Sequence, residues 1–266
     1  MVCICRSYQS YLESHFRSGQ RLSQLQMNRS FRGPRQDHSP DSRCCAQRTL
    51  AEHGASVLQV IYTHGYEHSL VYTYANLGTA STRLNFNKAA DRRRMWPLIA
   101  DAHVYLDSYR PGAISKFGFT DDAMVEVNPQ LIICHLRCYG RTGPWAAKPG
   151  FDMQGSASSG LMGVMGDGRP QWPPGMVIND YTTGYFAALA IQSCILKRLR
   201  GEPGADGAWL VSPSLTGTAI AIVRLFRSSR WVEFGMDGDG GEALPPLQLH
   251  AQISLAFLRT LSRCCQ

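Results

Sequence analysis

No stretch of the 266 residues approaches the roughly 20 consecutive apolar positions of a membrane helix, because charged residues, Gly or Pro interrupt every candidate. Membrane partners are therefore not expected. Nothing repeats at the common solenoid periods. Met1 to Cys5 run into Arg6 and Tyr8 rather than a continuous apolar segment, so a secretory leader is not expected. Nine Cys are too few for a disulfide scaffold, and Cys44-Cys45 and Cys264-Cys265 are adjacent pairs, which rarely close a ring. Cys134 and Cys138 stand four apart without a second Cys/His pair at zinc-like spacing, so no metal is expected and the thiols read as reduced and mostly buried. Also missing are G-x-x-x-x-G-K-[ST], H-E-x-x-H and G-x-S-x-G, which removes the P-loop, the helical zinc protease site and the serine-hydrolase elbow.

What is present is a core-forming composition, 44% hydrophobic and 18% charged, which argues against a disordered, collagen or coiled-coil chain taken as a whole. The net charge of +7 suggests a nucleic-acid binder until it is divided along the chain. Residues 1–50 hold eight Arg and three acids, whereas residues 51–266 hold 19 basic and 17 acidic residues. Basicity thus belongs to the N-terminal segment and not to a binding face, and no nucleic-acid partner is expected.

Residues 1–45 are rich in Arg, Ser and Gln, lack Lys and have no sustained period. They read as a disordered extension, with a mitochondrial presequence as the alternative; the compartment expected by default is the cytoplasm. From about residue 46 the pattern changes. Thr49 to His53 reads as a short helix ended by Gly54, and Ser56 to Tyr62 as a strand. Asp91 to Ala100 is an expected helix with Met95, Leu98 and Ile99 on one face, and His103 to Leu106 a strand. Tyr109-Arg-Pro-Gly112 forms a turn in which Pro111 presets φ and Gly112 accepts positive φ. Thr120 caps a helix carrying two acids in its first turn, and Gln130 to Cys138 is a buried strand. Gly160 to Gly168 reads as a mobile loop rather than a dinucleotide fingerprint. A long helix is expected over about 181–200, with Phe186, Leu189, Ala190 and Ile195 as its apolar stripe; Trp209 to Ser212 is a strand and Leu215 to Phe226 a helix. Such alternation predicts an α/β fold, a Rossmann-like parallel sheet with helices on both faces.

Asp180 stands where the apolar approach Met176-Val-Ile-Asn meets the long helix. One reading is a helix N-cap. The other is a carboxylate nucleophile, kept ionised by the helix N-terminus and shielded from water by the residues before it. Both readings stand together, since a capping position also fixes the side chain.

A set of motifs occurs in order: Val104-Tyr-Leu-Asp-Ser-Tyr-Arg-Pro-Gly, Asn128-Pro-Gln-Leu-Ile, Tyr139-Gly-Arg-Thr-Gly-Pro-Trp, Pro149-Gly-Phe-Asp-Met-Gln, Ser159-Gly-Leu-Met, Asp180-Tyr-Thr-Thr-Gly, Arg200-Gly-Glu-Pro-Gly and Val211-Ser-Pro-Ser-Leu. Together they resemble the family III CoA-transferases, which include formyl-CoA, carnitine and bile-acid CoA-transferases and the α-methylacyl-CoA racemases. The resemblance assigns 46–231 to the large domain of that family and leaves 232–266 as an unmatched tail. Family members are longer, and it implies that their second, smaller domain is largely absent from this chain.

The resemblance implies transfer of CoA from an acyl-CoA to a carboxylic acid through a covalent intermediate on Asp180, with CoA as substrate and no tightly bound cofactor. In the racemases a His stands where this chain has Phe151, so racemase or isomerase chemistry is the less favoured alternative; Asp152 keeps the acidic position beside it. An inactive family member, at most binding CoA or a partner subunit, is a third reading. Ser108, Tyr109, Arg110, Lys116, Leu84, Asn85, Phe86, Phe151 and Asp152 fall on segments that line the CoA site in the family. An intact member is expected to be a homodimer.

Overall fold

A computed structural model describes residues 2–6, 40–62, 76–164, 169–172 and 177–228. Residues 1–222 form one compact unit, and 223–266 a second, of which 223–228 continue the last helix. The tail 232–266, the Gly-rich residues 165–168 and the approach 173–176 lie outside the described residues.

Six strands form one sheet in the order β3-β2-β1-β4-β5-β6. They are β1 (Val2–Arg6), β2 (Ser56–Tyr62), β3 (Ala80–Leu84), β4 (Val104–Asp107), β5 (Ile132–His135) and β6 (Trp209–Val211). The helices are α1 (Pro40–Glu52), α2 (Ala89–Ala100), α3 (Asp121–Val127), α4 (Asp152–Ser158), α5 (Leu161–Val164), α6 (Ile178–Leu199) and α7 (Leu215–Ser228). Successive strand residues face opposite sides, and the two faces collect different partners. On one side Cys5, Val57, Val104, Leu106, Ile132 and Cys134 pack with Ala46 and Leu50 of α1 and with Ala187, Ala188, Ile191 and Cys194 of α6. On the other, Ile4, Val60, Tyr105 and Ile133 pack with Met95 and Ile99 of α2 and Met124 of α3.

The α/β architecture with both faces covered is as expected, but the sheet is mixed rather than parallel. Pairs β2·β3, β4·β5 and β5·β6 are parallel, whereas β1 runs antiparallel to both β2 and β4. Residues 1–45 were expected to lie outside the fold, yet Val2–Arg6 sits at the centre of the sheet, with Ile4 buried on one face and Cys5 on the other. Residues 7–39 lie outside the described residues.

Local features follow from the sequence in several places. Thr120 accepts a hydrogen bond from the Ala123 N–H and caps α3. Gly112 adopts φ +83° in the turn after β4. Helix α1 starts at Pro40, earlier than the expected Thr49, and strand β5 is only four residues long. Part of the expected mobile loop is the helical turn α5. In α6 the buried stripe is Thr183, Gly184, Ala187, Ala188, Ile191 and Cys194 rather than Phe186, Leu189, Ala190 and Ile195, which are half-buried. Small side chains let α6 approach the sheet and α1 closely, and the larger ones are displaced to the flank.

Candidate active site

In open α/β sheets, ligands bind beyond the carboxyl ends of the parallel strands. Here the segments leaving β4 and β5 line a cleft open to solvent. Its walls are the turn Ser108 to Pro111 after β4, Leu136 to Cys138 after β5, the segment from Ala146 through Lys148 to Phe151, and Leu215 at the start of α7. Four expected site residues, Ser108, Tyr109, Arg110 and Phe151, therefore share one cavity. Arg137 and Lys148 add two cations to its walls, and Lys148 Nζ lies 4.8 Å over the Trp145 ring.

Asp180 and Asp152 lie behind the wall rather than on it, each 2% exposed. Asp180 is not the N-cap of α6; that position is held by Val177 at φ +29°, and Asp180 occupies the first turn. Its backbone N–H donates to Asp152 Oδ2 at 2.9 Å. Asp152 Oδ1 accepts from the Ser156 hydroxyl at 3.1 Å and from Asn179 Nδ2 at 3.5 Å, and Asn179 also donates to Ser156 Oγ at 2.6 Å. Asp152 thereby supplies the anion that the N-terminus of α6 requires, and it locks α4 to α6. Gln154 Oε1 accepts from the Phe151 N–H and fixes the start of α4.

Cys138 connects this polar knot to the cleft. It lines the cavity, and burial together with the negative charges of Asp180 and Asp152 pushes its thiol up to about 11, so it stays protonated at neutral pH. Gly150 is required beside it: a Cβ at that position would collide with the Cys138 side chain, leaving no room for any other residue.

Leu84, Asn85, Phe86 and Lys116 are not on the cleft. Leu84 is core, the Asn85 N–H donates to Asp91 at 2.9 Å, and Phe86 packs against Phe117 and Phe119 with centroids 5.9 and 5.1 Å away. Lys116 Nζ lies 4.9 Å from the Phe117 ring. Leu84, Phe86 and Phe117 belong to the core cluster that Tyr109 of the cavity wall also packs against, so this group adjoins the cleft without lining it.

Sequence reading missed a buried ionic network under the cleft. Asp107, at the end of β4, accepts from Arg137 Nη1 at 2.7 Å and from the Tyr109 N–H at 3.3 Å, and pairs with His135 Nδ1 at 3.1 Å. His135 Nε2 lies 2.8 Å from Asp121, which accepts from Arg141 at 3.0 Å. Burial opposes ionisation of Asp107, but His135 and Arg137 outweigh it and hold its pKa at about 2. Alternation was the available signal: Asp107, His135 and Arg137 continue the face that carries Tyr105 and Ile133.

The model of CoA-transferase family III matches residues 44–226. The chain belongs to CoA-transferase family III. Among its relatives, an acyl-CoA transferase of Fusarium pseudograminearum is 31% identical over 169 residues, which is 63% of this chain and 36% of that protein. The acetyl-CoA:oxalate CoA-transferase of Acetobacter aceti is 32% identical over 52% of this chain and 36% of its own length. The mouse succinyl-CoA:glutarate CoA-transferase is 33% identical, with 51% and 31% covered. A solved Mycobacterium tuberculosis protein superposes with a TM-score of 0.62 at 26% identity, over 71% of this chain and 57% of that one. A CAIB/BAIF family protein from Brucella suis gives 0.63 at 23%, a likeness of fold. This family III chain spans about a third of the length of the curated relatives it matches. Among the described residues no helix is long and apolar enough to cross a membrane, and no cluster of three His, Cys, Asp or Glu is arranged to hold a metal ion.

Proposed function

We propose that the chain carries the nucleophile and part of the CoA site of an acyl-CoA:carboxylate CoA-transferase. The observation that carries this reading is the position of Asp180 in the first turn of α6, buried and held by Asp152 beside Cys138 of the cleft. The Asp180 carboxylate attacks the thioester carbonyl and expels CoA thiolate, forming a mixed anhydride. The thiolate attacks the aspartyl carbonyl and releases the donor's carboxylate, leaving an aspartyl-CoA thioester. An acceptor carboxylate repeats the two steps in reverse and leaves with CoA, returning Asp180 to its starting state. A buried, water-poor position favours this path, because water would hydrolyse the anhydride.

Ser108, Tyr109, Arg110 and Phe151 contact CoA in this reading, with Arg137 and Lys148 facing its anionic groups. Leu84, Asn85, Phe86 and Lys116 form a second proposed CoA-lining group at the aromatic cluster. A homodimer and substrates of the acyl-CoA and carboxylic acid classes complete the proposal. With Phe151 in place of a proton-accepting His, nothing favours racemase chemistry.

The test is chemical trapping. Incubation with an acyl-CoA followed by hydroxylamine is expected to convert Asp180 to its hydroxamate, seen by peptide mass spectrometry and lost in Asp180→Asn. An unmodified Asp180 alongside measurable CoA exchange would overturn the assignment.

A further inference from the structure

The network beneath the cleft is joined to both of its walls. Asp107 holds the Tyr109 N–H of one wall and the Arg137 guanidinium of the other. His135 is the joint. Its Nδ1 lies 3.1 Å from Asp107 Oδ2 and also 3.1 Å from Arg137 Nη2, while Nε2 lies 2.8 Å from Asp121. An imidazole nitrogen cannot donate to Asp107 and accept from Arg137 at once; with Nε2 donating to the Asp121 carboxylate, the two Nδ1 contacts belong to different protonation states.

We propose that His135 is a positioning residue that couples the cleft to pH. With both ring nitrogens protonated it ties Asp107 to Asp121, and with Nδ1 bare it accepts from Arg137 and the network beneath the cleft loses one positive charge. The inference rests on the cleft being the CoA site, as read above.

The groups facing His135 are Asp107 and the edge-on Tyr105 ring from β4, Asp121 from α3, and Arg137 and Arg141 from the segment after β5. Two carboxylates and two guanidiniums cancel, so the proton on His135 sets the net charge of the cluster. Burial and Arg137 pull its pKa down, but the hydrogen bonds and charges of Asp107 and Asp121 pull harder and raise it above the ordinary 6.5. Burial and Asp107 also raise Tyr105, which stays neutral throughout the range in question.

CoA is a polyanion, so it binds more tightly to the protonated state. Removing one charge from a partly screened position beneath the site corresponds to about 3–10-fold in affinity. The second ionisation of the CoA 3′-phosphate, near pH 6, works in the opposite direction, and a His135 variant isolates the protein's share.

The experiment is titration calorimetry with CoA itself between pH 5.5 and 8.5. Wild-type protein is expected to lose about 3–10-fold in affinity as pH rises, relative to the His135→Gln variant, with a midpoint above 6.5. His135→Gln should hold the weaker, high-pH affinity throughout, apart from the phosphate's own dependence. Asp121→Asn, whose site is partly exposed, should move the wild-type midpoint downward. The same pH step in His135→Gln, or an unmoved midpoint in Asp121→Asn, overturns the proposal while leaving the CoA site intact. No CoA binding at any pH by the folded protein overturns the CoA site and this coupling together.

Discussion

Asp107 shows how much one side chain can organise. It is 2% exposed, yet its carboxylate is ionised, because Arg137, His135 and the Tyr109 N–H supply what water would. Its folded pKa of about 2 lies below the unfolded value, so its contribution to stability is present above about pH 4 and is lost as pH falls toward 2. The shift corresponds to about 2 kcal/mol. In Asp107→Asn we expect that acid-side dependence to disappear from urea unfolding curves taken from pH 5 to 2.5. The same variant should cost about 3–5 kcal/mol at pH 7, since it leaves Arg137 buried without its anion. A loss below 1 kcal/mol would mean that Arg137 finds another partner or water. His135 has the opposite sign: its raised pKa stabilises the fold at low pH, a contribution that fades as pH rises through that pKa.

At the level of elements, short signals read correctly and long-range ones did not. The Thr120 cap, the positive φ of Gly112 and the strand Ser56–Tyr62 depend on neighbours within a few residues and were visible as such. Thr120→Ala removes the hydrogen bond to the Ala123 N–H, and denaturation should show a loss of about 1 kcal/mol with an unchanged m-value. The buried stripe of α6 departs from the one periodicity marks, because periodicity marks apolar residues, whereas packing selects the small ones that fit between the sheet and α1. Asp180 was placed at the mouth of the longest helix from sequence, but its anchor Asp152, 28 residues earlier, carried no local sign of that contact.

At the largest scale, among the described residues, one sheet with helices on both faces encloses five thiols. Cys5, Cys45, Cys134, Cys138 and Cys194 are all buried. Cys134, in the core between β5, α1 and α6, has its pKa pushed strongly upward by burial and by the charge of Asp107. We expect Cys134 to resist iodoacetamide in native buffer and to react in denaturant, as read from its peptide mass. Rapid native labelling would show that the sheet opens without global unfolding.

The residues alone determined the α/β class and the family's ordered motifs, and singled out Asp180 as the candidate nucleophile, because alternating periodicity, caps and motifs are written in neighbouring positions. Only tertiary structure decided that Val2–Arg6 enters the sheet antiparallel between β2 and β4, that Asp152 anchors α6, and that Asp107, His135, Asp121 and Arg137 meet under the cleft. Each of these joins positions far apart in the chain or on different elements. Such pairings are chosen by which buried polar groups and strand edges find partners once the sheet has formed, and no local pattern carries that information.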